Sequence, residues 1–172
     1  MAEQRVAQPP LWIVSPMLHD TEAFLRLREE TAAACAAAGI GSERRHLVVD
    51  DSAGTDPQVA RLRELADVEV LTPPFNLGHQ RAIVFGLRSL APRLCGDEVV
   101  VTMDSDGQDQ PDDVPRLIEA LSRGPEPLVL AQRTKRREPI RFRVMYLFFR
   151  VLFRVFTGTT VKSGKFAAQR AR

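Results

Sequence analysis

Residues 104–109, Asp-Ser-Asp-Gly-Gln-Asp, put three carboxylates and an amide into six positions directly after the β-branched run Val99-Val100-Val101-Thr102. Asp104 and Asp106 stand two apart, and with Gln108 they offer the hard oxygen ligands that Mg²⁺ or Mn²⁺ prefers. An isolated Asp-x-Asp is also what an ordinary acidic turn ahead of a helix looks like. A second acidic pair, Asp50-Asp51, closes another apolar run, Leu47-Val48-Val49. If both runs are strands of one parallel sheet, the two acidic ends face a single cleft. Gathered carboxylates repel an anionic ligand unless a cation or a basic group compensates them. A metal-bridged diphosphate is the simplest ligand that satisfies such a cleft.

The elements that must carry these residues are legible along the chain. Strands are expected at 11–15, closed by Pro16, then at 46–49, 68–71, 98–104 and 128–131. Between them lie helical stretches. The first begins at Asp20-Thr21 and ends at Gly39-Ile40-Gly41; the second runs from Asp56, as cap, and Pro57 to about Ala66. A third follows Asn76-Leu77-Gly78-His79-Gln80-Arg81 with Ile83, Val84, Leu87 and Leu90 at helical spacing, and a fourth opens at Pro111-Asp112-Asp113 with Leu117, Ile118 and Leu121 as its apolar face. Four rounds of strand and helix with short connections predict an α/β fold, a Rossmann-like open and mostly parallel sheet with helices on both faces.

At 172 residues with 44% hydrophobic content the chain can bury a proper core. Its net charge of +2 conceals a division: residues 1–130 carry 12 Lys/Arg against 21 Asp/Glu, and residues 131–172 carry 12 against 1. The basic end calls for an anionic partner. Cys35 and Cys95 are far apart and form no Cys-x-x-Cys, which suits a reducing, cytoplasmic setting, and residues 1–10 lack the basic flank and apolar core of a signal peptide. His19, His46 and His79 have no metal-ligand spacing; His79, at a helix start, is either a cap or a phosphate contact.

Residues 141–156 form the second informative stretch. At about 100° per residue, Arg143, Arg150 and Arg154 fall on one stripe of a helix in which nearly everything else is aliphatic or aromatic, Tyr146, Phe148, Phe149 and Phe153 included. It is too short and too charged to cross a bilayer. Two readings stand: a helix lying in a membrane interface with its arginines toward anionic lipid, or one packed on the sheet or on a partner subunit. The aromatics sit within a continuous apolar helix and are not displayed for base stacking, so nucleic acid is not an expected partner.

Four motifs in order, Ile13-Val14-Ser15-Pro16, Val48-Val49-Asp50-Asp51-Ser52, Asn76-Leu77-Gly78-His79-Gln80 and Met103-Asp104-Ser105-Asp106-Gly107-Gln108-Asp109, resemble family 2 glycosyltransferases of the GT-A fold. Within that family the likeness is to the branch of dolichyl-phosphate mannose synthases and bacterial polyprenyl-phosphate glycosyltransferases. The resemblance implies a metal-dependent, inverting transfer of a sugar from a nucleoside-diphosphate sugar to a polyprenyl phosphate. It implies that Pro16, Asp20, Asp50, Asp51, Asp104 and Asp106 hold the nucleotide sugar, with Asp50 on the base or ribose and Asp51 shaping its loop. Asp104, Asp106 and Gln108 would hold Mg²⁺ or Mn²⁺, and Asp106 and Arg133 would act on the diphosphate. Residues 1–140 would form the nucleotide-sugar-binding domain, and residues 141–172 the basic amphipathic helix and acceptor-side tail. A cytoplasmic location, peripheral at the inner face of the membrane, follows from the same likeness.

Two departures stand out. Leu18-His19-Asp20 replaces the family's frequent Tyr-Asn-Glu, removing an aromatic contact to the nucleotide. Lys162-Ser163-Gly164-Lys165-Phe166 replaces an acidic Asp-x-Gly-Asp-Phe pattern, removing a carboxylate base. A phosphate monoester, with a second pKa of about 6, is already mostly a nucleophilic dianion at neutral pH, and Lys162 and Lys165 would then hold that acceptor phosphate. The chain stops soon after this motif, short of where the family usually ends, as a trimmed catalytic domain would. The alternatives are a non-catalytic nucleotide-sugar-binding or membrane-adaptor domain, which the two lysines favour, and a haloacid-dehalogenase-like phosphatase with Asp104 as nucleophile and Asp106 as acid. The latter wants Thr where Gln108 stands and places its motif near the chain start.

Overall fold

The computed structural model describes residues 10–40, 43–96, 98–131 and 166–171. Six strands make one sheet: β1 (Leu11–Met17), β2 (Arg44–Asp50), β3 (Val68–Leu71), β4 (Val99–Thr102), β5 (Leu128–Leu130) and β6 (Ala167–Arg170). Their spatial order is β3-β2-β1-β4-β6-β5. The first four are mutually parallel, and β6 runs antiparallel to both β4 and β5. The chain winds outward from β1 through β2 to β3, then crosses back to place β4 on the other side of β1. The crevice above the C-terminal ends of β1 and β4 is therefore the topological switch point, where open α/β sheets bind ligands.

The helices are α1 (Thr21–Ala37), α2 (Val59–Arg63), α3 (His79–Leu90) and α4 (Asp113–Arg123). Because side chains alternate across a strand, both faces of the sheet are apolar and both are covered. On one face Trp12, Val14, Leu47 and Val100 pack with Leu87 and Leu90 of α3. On the other, Met17 and Val48 pack with Phe24 of α1 and with Val59 and Leu62 of α2, and α4 lies against α1, β5 and β6.

Three details depart from the reading of the sequence. β1 does not stop before Pro16 but continues through it to Met17. Val14 accepts a hydrogen bond from Met103 N–H, and the β4 ladder ends there. Pro16, two residues on, faces the same side beyond that ladder, so its missing N–H deprives no partner. α3 meets the sheet through Ala82, Gly86 and Leu90, whereas Val84, expected on the apolar face, is 50% exposed. A Cβ on Gly86 would come within 2.9 Å of both Val14 Cγ1 and Val49 Cγ2, so small residues set how closely this helix can approach. α2 begins at Val59, not at Pro57, although Asp56 Oδ1 still accepts Gln58 N–H at 2.9 Å as a cap does.

The largest difference is β6. Residues 167–170, Ala-Ala-Gln-Arg, carry no β-branched signal and were expected in the acceptor-side tail, yet they fill the place between β4 and β5. Arg170 then reaches α4, donating from its guanidinium to Leu121 O at 2.7 Å and Gly124 O at 3.2 Å, a cation on a helix C-terminus. The described residues other than Ala131 belong to one unit, Met1–Leu130 with Lys165–Arg172. The expected amphipathic helix at 141–156, Arg133, Lys162 and Lys165 lie outside the described residues.

Candidate functional site: the acidic strand ends

Each strand end reaches the site for a local reason. β2 ends at Asp50, which is fully buried. Its Oδ1 accepts from Ser52 N–H at 3.1 Å and from the Ser52 hydroxyl at 2.5 Å, and its Oδ2 accepts from the Thr72 hydroxyl at 3.4 Å. Ser52 Oγ in turn accepts Asp56 N–H, and Asp56 Oδ2 accepts the Thr21 hydroxyl, both at 3.1 Å. The tip of β2 is thus knitted to the start of α1. Thr72, just past β3, takes a 3.0 Å hydrogen bond from the Arg63 guanidinium.

Asp51 is also buried, and its two oxygens serve the next loop. Oδ1 accepts Leu77 N–H at 2.6 Å, Oδ2 accepts Gly78 N–H at 3.0 Å, and Asn76 Nδ2 donates to Asp51 O at 2.9 Å. The loop turns into α3 at Gly78, whose φ of 78° lies in the region that only glycine adopts freely. His79, the first residue of α3, then brings its Nε2 to 3.1 Å from Asp104 Oδ1. The two atoms are in contact, but the ring nitrogen makes no hydrogen bond there.

β4 ends at Thr102, so the carboxylates sit on the loop beyond it and not on the strand. Asp109, buried, folds that loop back by accepting Asp104 N–H at 3.0 Å. Ser105 donates its hydroxyl to Pro16 O at 2.8 Å and Asp51 N–H donates to Met17 O at 2.8 Å, so the ends of β1, β2 and β4 are stitched side by side. Asp106, Gly107 and Gln108 are exposed at the crest, where Asp106 Oδ1 accepts Gln108 N–H at 2.9 Å and Gly107 has φ 77°.

The structure therefore brings together Pro16, Asp50, Asp51, Asp104, Asp106 and Gln108 at one sheet edge, with half-buried Asp20 at the N-terminus of α1 on the same edge. Asp50 and Asp51 spend their carboxylates on protein donors; Asp106 presents its own to solvent. Three contributors had no separate role in the reading of the sequence: Ser105, Asp109 and Thr72. Ser105 had a usable signal, its place between two acids at a strand end. Thr72 had none, because its partner lies 22 residues away. A cavity of about 1040 Å³ lies elsewhere, between α1 and α4, bordered by Leu11, Ile40, Val99 and Ile118 and by none of these acids.

A doubly wound sheet with one antiparallel strand beside β4, and acids at its switch point, is the architecture of the GT-A fold. Residues 25–172 match the model of glycosyl transferase family 2, and the chain belongs to that family. That membership leaves no place for the phosphatase alternative. Among curated relatives, the undecaprenyl-phosphate 4-deoxy-4-formamido-L-arabinose transferase of Edwardsiella ictaluri is 30% identical over 65% of this chain and 34% of its own length. The transferase of the same name from Pseudomonas fluorescens (strain SBW25) is 31% identical over 76% of this chain and 37% of its own. The chain thus spans about a third of the length of the curated relatives it matches. Among solved structures, glucosyl-3-phosphoglycerate synthase from Mycobacterium tuberculosis, in complex with Mn²⁺, uridine diphosphate and glucosyl-3-phosphoglycerate, superimposes with a TM-score of 0.57. It is 20% identical over 95% of this chain and 57% of that one, a likeness of fold.

Proposed function

We propose that this chain is the nucleotide-sugar-binding part of an inverting glycosyltransferase that moves a sugar from a nucleoside diphosphate to a polyprenyl phosphate with the help of Mg²⁺ or Mn²⁺. The observation that carries this is the pairing of the Asp50-Asp51 and Asp104–Asp109 ends across β1, at the switch point of the sheet. The names of the curated relatives support the acceptor class, and the Mn²⁺ and uridine diphosphate of the structural neighbour support the donor class.

The donor set suits a cation that arrives with its ligand. Among the described residues, no three or more His, Cys, Asp or Glu gather to hold a metal by themselves. Mg²⁺ is commonly bound through one or two carboxylates plus substrate phosphates, and exposed Asp106, backed by Asp104 and Gln108, provides that partial set. When bound, the cation supplies charge neutralisation at the departing diphosphate. The chain's own residues do the rest. Asp109 and Ser105 hold the acidic loop in register with β1, while Asp50 and Asp51 rigidify the neighbouring loops on which base and ribose would rest, with Pro16 and Asp20 at the pocket's edge. Inversion needs one in-line displacement with the acceptor held on the opposite face. Arg133 would meet the diphosphate, and Lys162 and Lys165 the acceptor phosphate.

Residues 141–156 would lie on an anionic membrane surface, the peripheral placement that brings a lipid phosphate within reach. Among the described residues no helix is long and apolar enough to cross a membrane. The test is calorimetric titration of UDP- and GDP-sugars with and without Mn²⁺, followed by transfer to a short-chain polyprenyl phosphate. Metal-dependent binding that vanishes in Asp106→Ala is expected. Binding of no nucleotide sugar would overturn the reading, and binding without transfer would favour the non-catalytic domain that Lys162 and Lys165 suggest.

A further inference from the structure

The two acidic ends are joined by a side chain to which the reading above gives no part. Asp51 grips the backbone of Leu77 and Gly78 with both carboxylate oxygens. The very next residue, His79, puts Nε2 at 3.1 Å from Asp104 Oδ1. The carboxylate of Asp104 is mostly buried and its backbone N–H is held by Asp109, so the ring closes on a residue already fixed from the other side. His79 is itself fixed: it leaves Gly78 in a left-handed turn and enters α3, whose Ala82 and Gly86 are seated on the sheet. An imidazole on a rigid helix start, 3.1 Å from a carboxylate on a separate loop, stands where it can restrict that carboxylate's orientation, as partner groups do for metal-binding acids.

We propose that His79 is a positioning residue, which holds Asp104 in the orientation needed to receive a cation-bound nucleoside diphosphate and couples that orientation to the Asp51 loop. The inference rests on the proposed nucleotide site. Its physical basis is that removing a partner of a ligating group costs about 10- to 100-fold in metal affinity or activity.

The experiment is titration of UDP, and of GDP if the parent does not bind UDP, in the presence and absence of Mn²⁺, into the whole chain and into His79→Leu, His79→Gln and Asp106→Ala. His79→Leu removes the polar atom and keeps bulk; His79→Gln restores an N–H near the position of Nε2. The expected result is a loss of about 10-fold or more in Mn²⁺-dependent UDP affinity for His79→Leu, most of it regained by His79→Gln, with the thermal midpoint of both variants close to that of the parent. Where turnover is measurable, the loss should appear in KM for the nucleotide sugar, with kcat less affected. Unchanged affinity in His79→Leu, beside a parent that binds and an Asp106→Ala that does not, would overturn this inference and leave the nucleotide site standing. Equal losses in His79→Leu and His79→Gln would also overturn it, because an N–H restored at the position of Nε2 would then recover nothing. A parent that fails to bind UDP and GDP alike would remove the site and the inference together.

Discussion

Asp109 Oδ2 accepts the backbone N–H of Asp104 at 3.0 Å, so the acid that ends the loop holds the acid that begins it. Between them Asp106 is carried out to the crest by the turn at Gly107. The same six residues thus contain both a buried brace and an exposed carboxylate, and the two are separable by mutation.

Asp106→Ala removes an exposed carboxylate whose hydrogen bond among the described residues is within its own turn. Stability in urea should change by no more than about 0.5 kcal/mol, while Mn²⁺-dependent nucleotide binding is lost. Asp109→Ala should do the reverse in part. Losing a buried, charge-assisted acceptor costs about 1.5–3 kcal/mol, and nucleotide binding falls because the loop is no longer held back on itself.

Asp51→Ala leaves two backbone N–H groups, of Leu77 and Gly78, without their acceptors. A loss of about 3 kcal/mol or more is expected from two charge-assisted hydrogen bonds. Asp51→Asn should recover only part of it, since its amide presents a donor to one of two donors. Equilibrium denaturation of both variants reads the difference.

Gly86→Ala pits helix propensity, which favours Ala by about 1 kcal/mol, against a Cβ 2.9 Å from two buried valine methyls. Both methyls belong to β-branched side chains with little rotamer freedom. Overpacking costs about 1–3 kcal/mol, so a net loss is expected, and Gly86→Val should lose clearly more. A stabilised Gly86→Ala would show that α3 moves off the sheet at little cost.

His46 gives the fold a pH dependence. Its ring is buried edge-on to Phe24, with centroids 5.6 Å apart, and burial, reinforced by the Arg44 charge and only partly offset by Asp67, lowers its pKa from 6.5 to about 4. The unfolded chain therefore binds a proton that the folded one refuses between those values. The contribution of neutral His46 is whole above pH 6.5 and is lost as pH falls toward 4, a swing on the order of 3 kcal/mol. His46→Leu should flatten that part of the stability profile relative to the parent, and an unchanged slope between pH 4 and 6.5 would count against it.

The parallel core of the sheet was legible because β1, β2 and β4 are apolar runs bounded by turn residues and separated by helices, signals that local chemistry writes into neighbouring positions. The acidic ends were legible for the same reason, since Asp50-Asp51 and Asp104–Asp109 directly follow such runs. What each acid does was not. Asp50 and Asp51 resemble Asp106 in composition; Asp50 is held by its neighbour Ser52 and by the distant Thr72, and Asp51 by the distant 76–78 loop, so that Asp51 owes its inward turn to partners more than 20 residues away.

Residues 167–170 show the same limit in the sheet itself. Ala-Ala-Gln-Arg has no intrinsic preference for a strand, but β4 and β5 leave a gap one strand wide whose unpaired backbone groups a third segment can satisfy. Local order, helix and strand periodicity, and the types of residue at each turn were therefore set by neighbours along the chain. The antiparallel insertion of β6, the close seating of α3 on Gly86, and the meeting of His79 with Asp104 were decided by contacts between distant segments, which a linear pattern does not record.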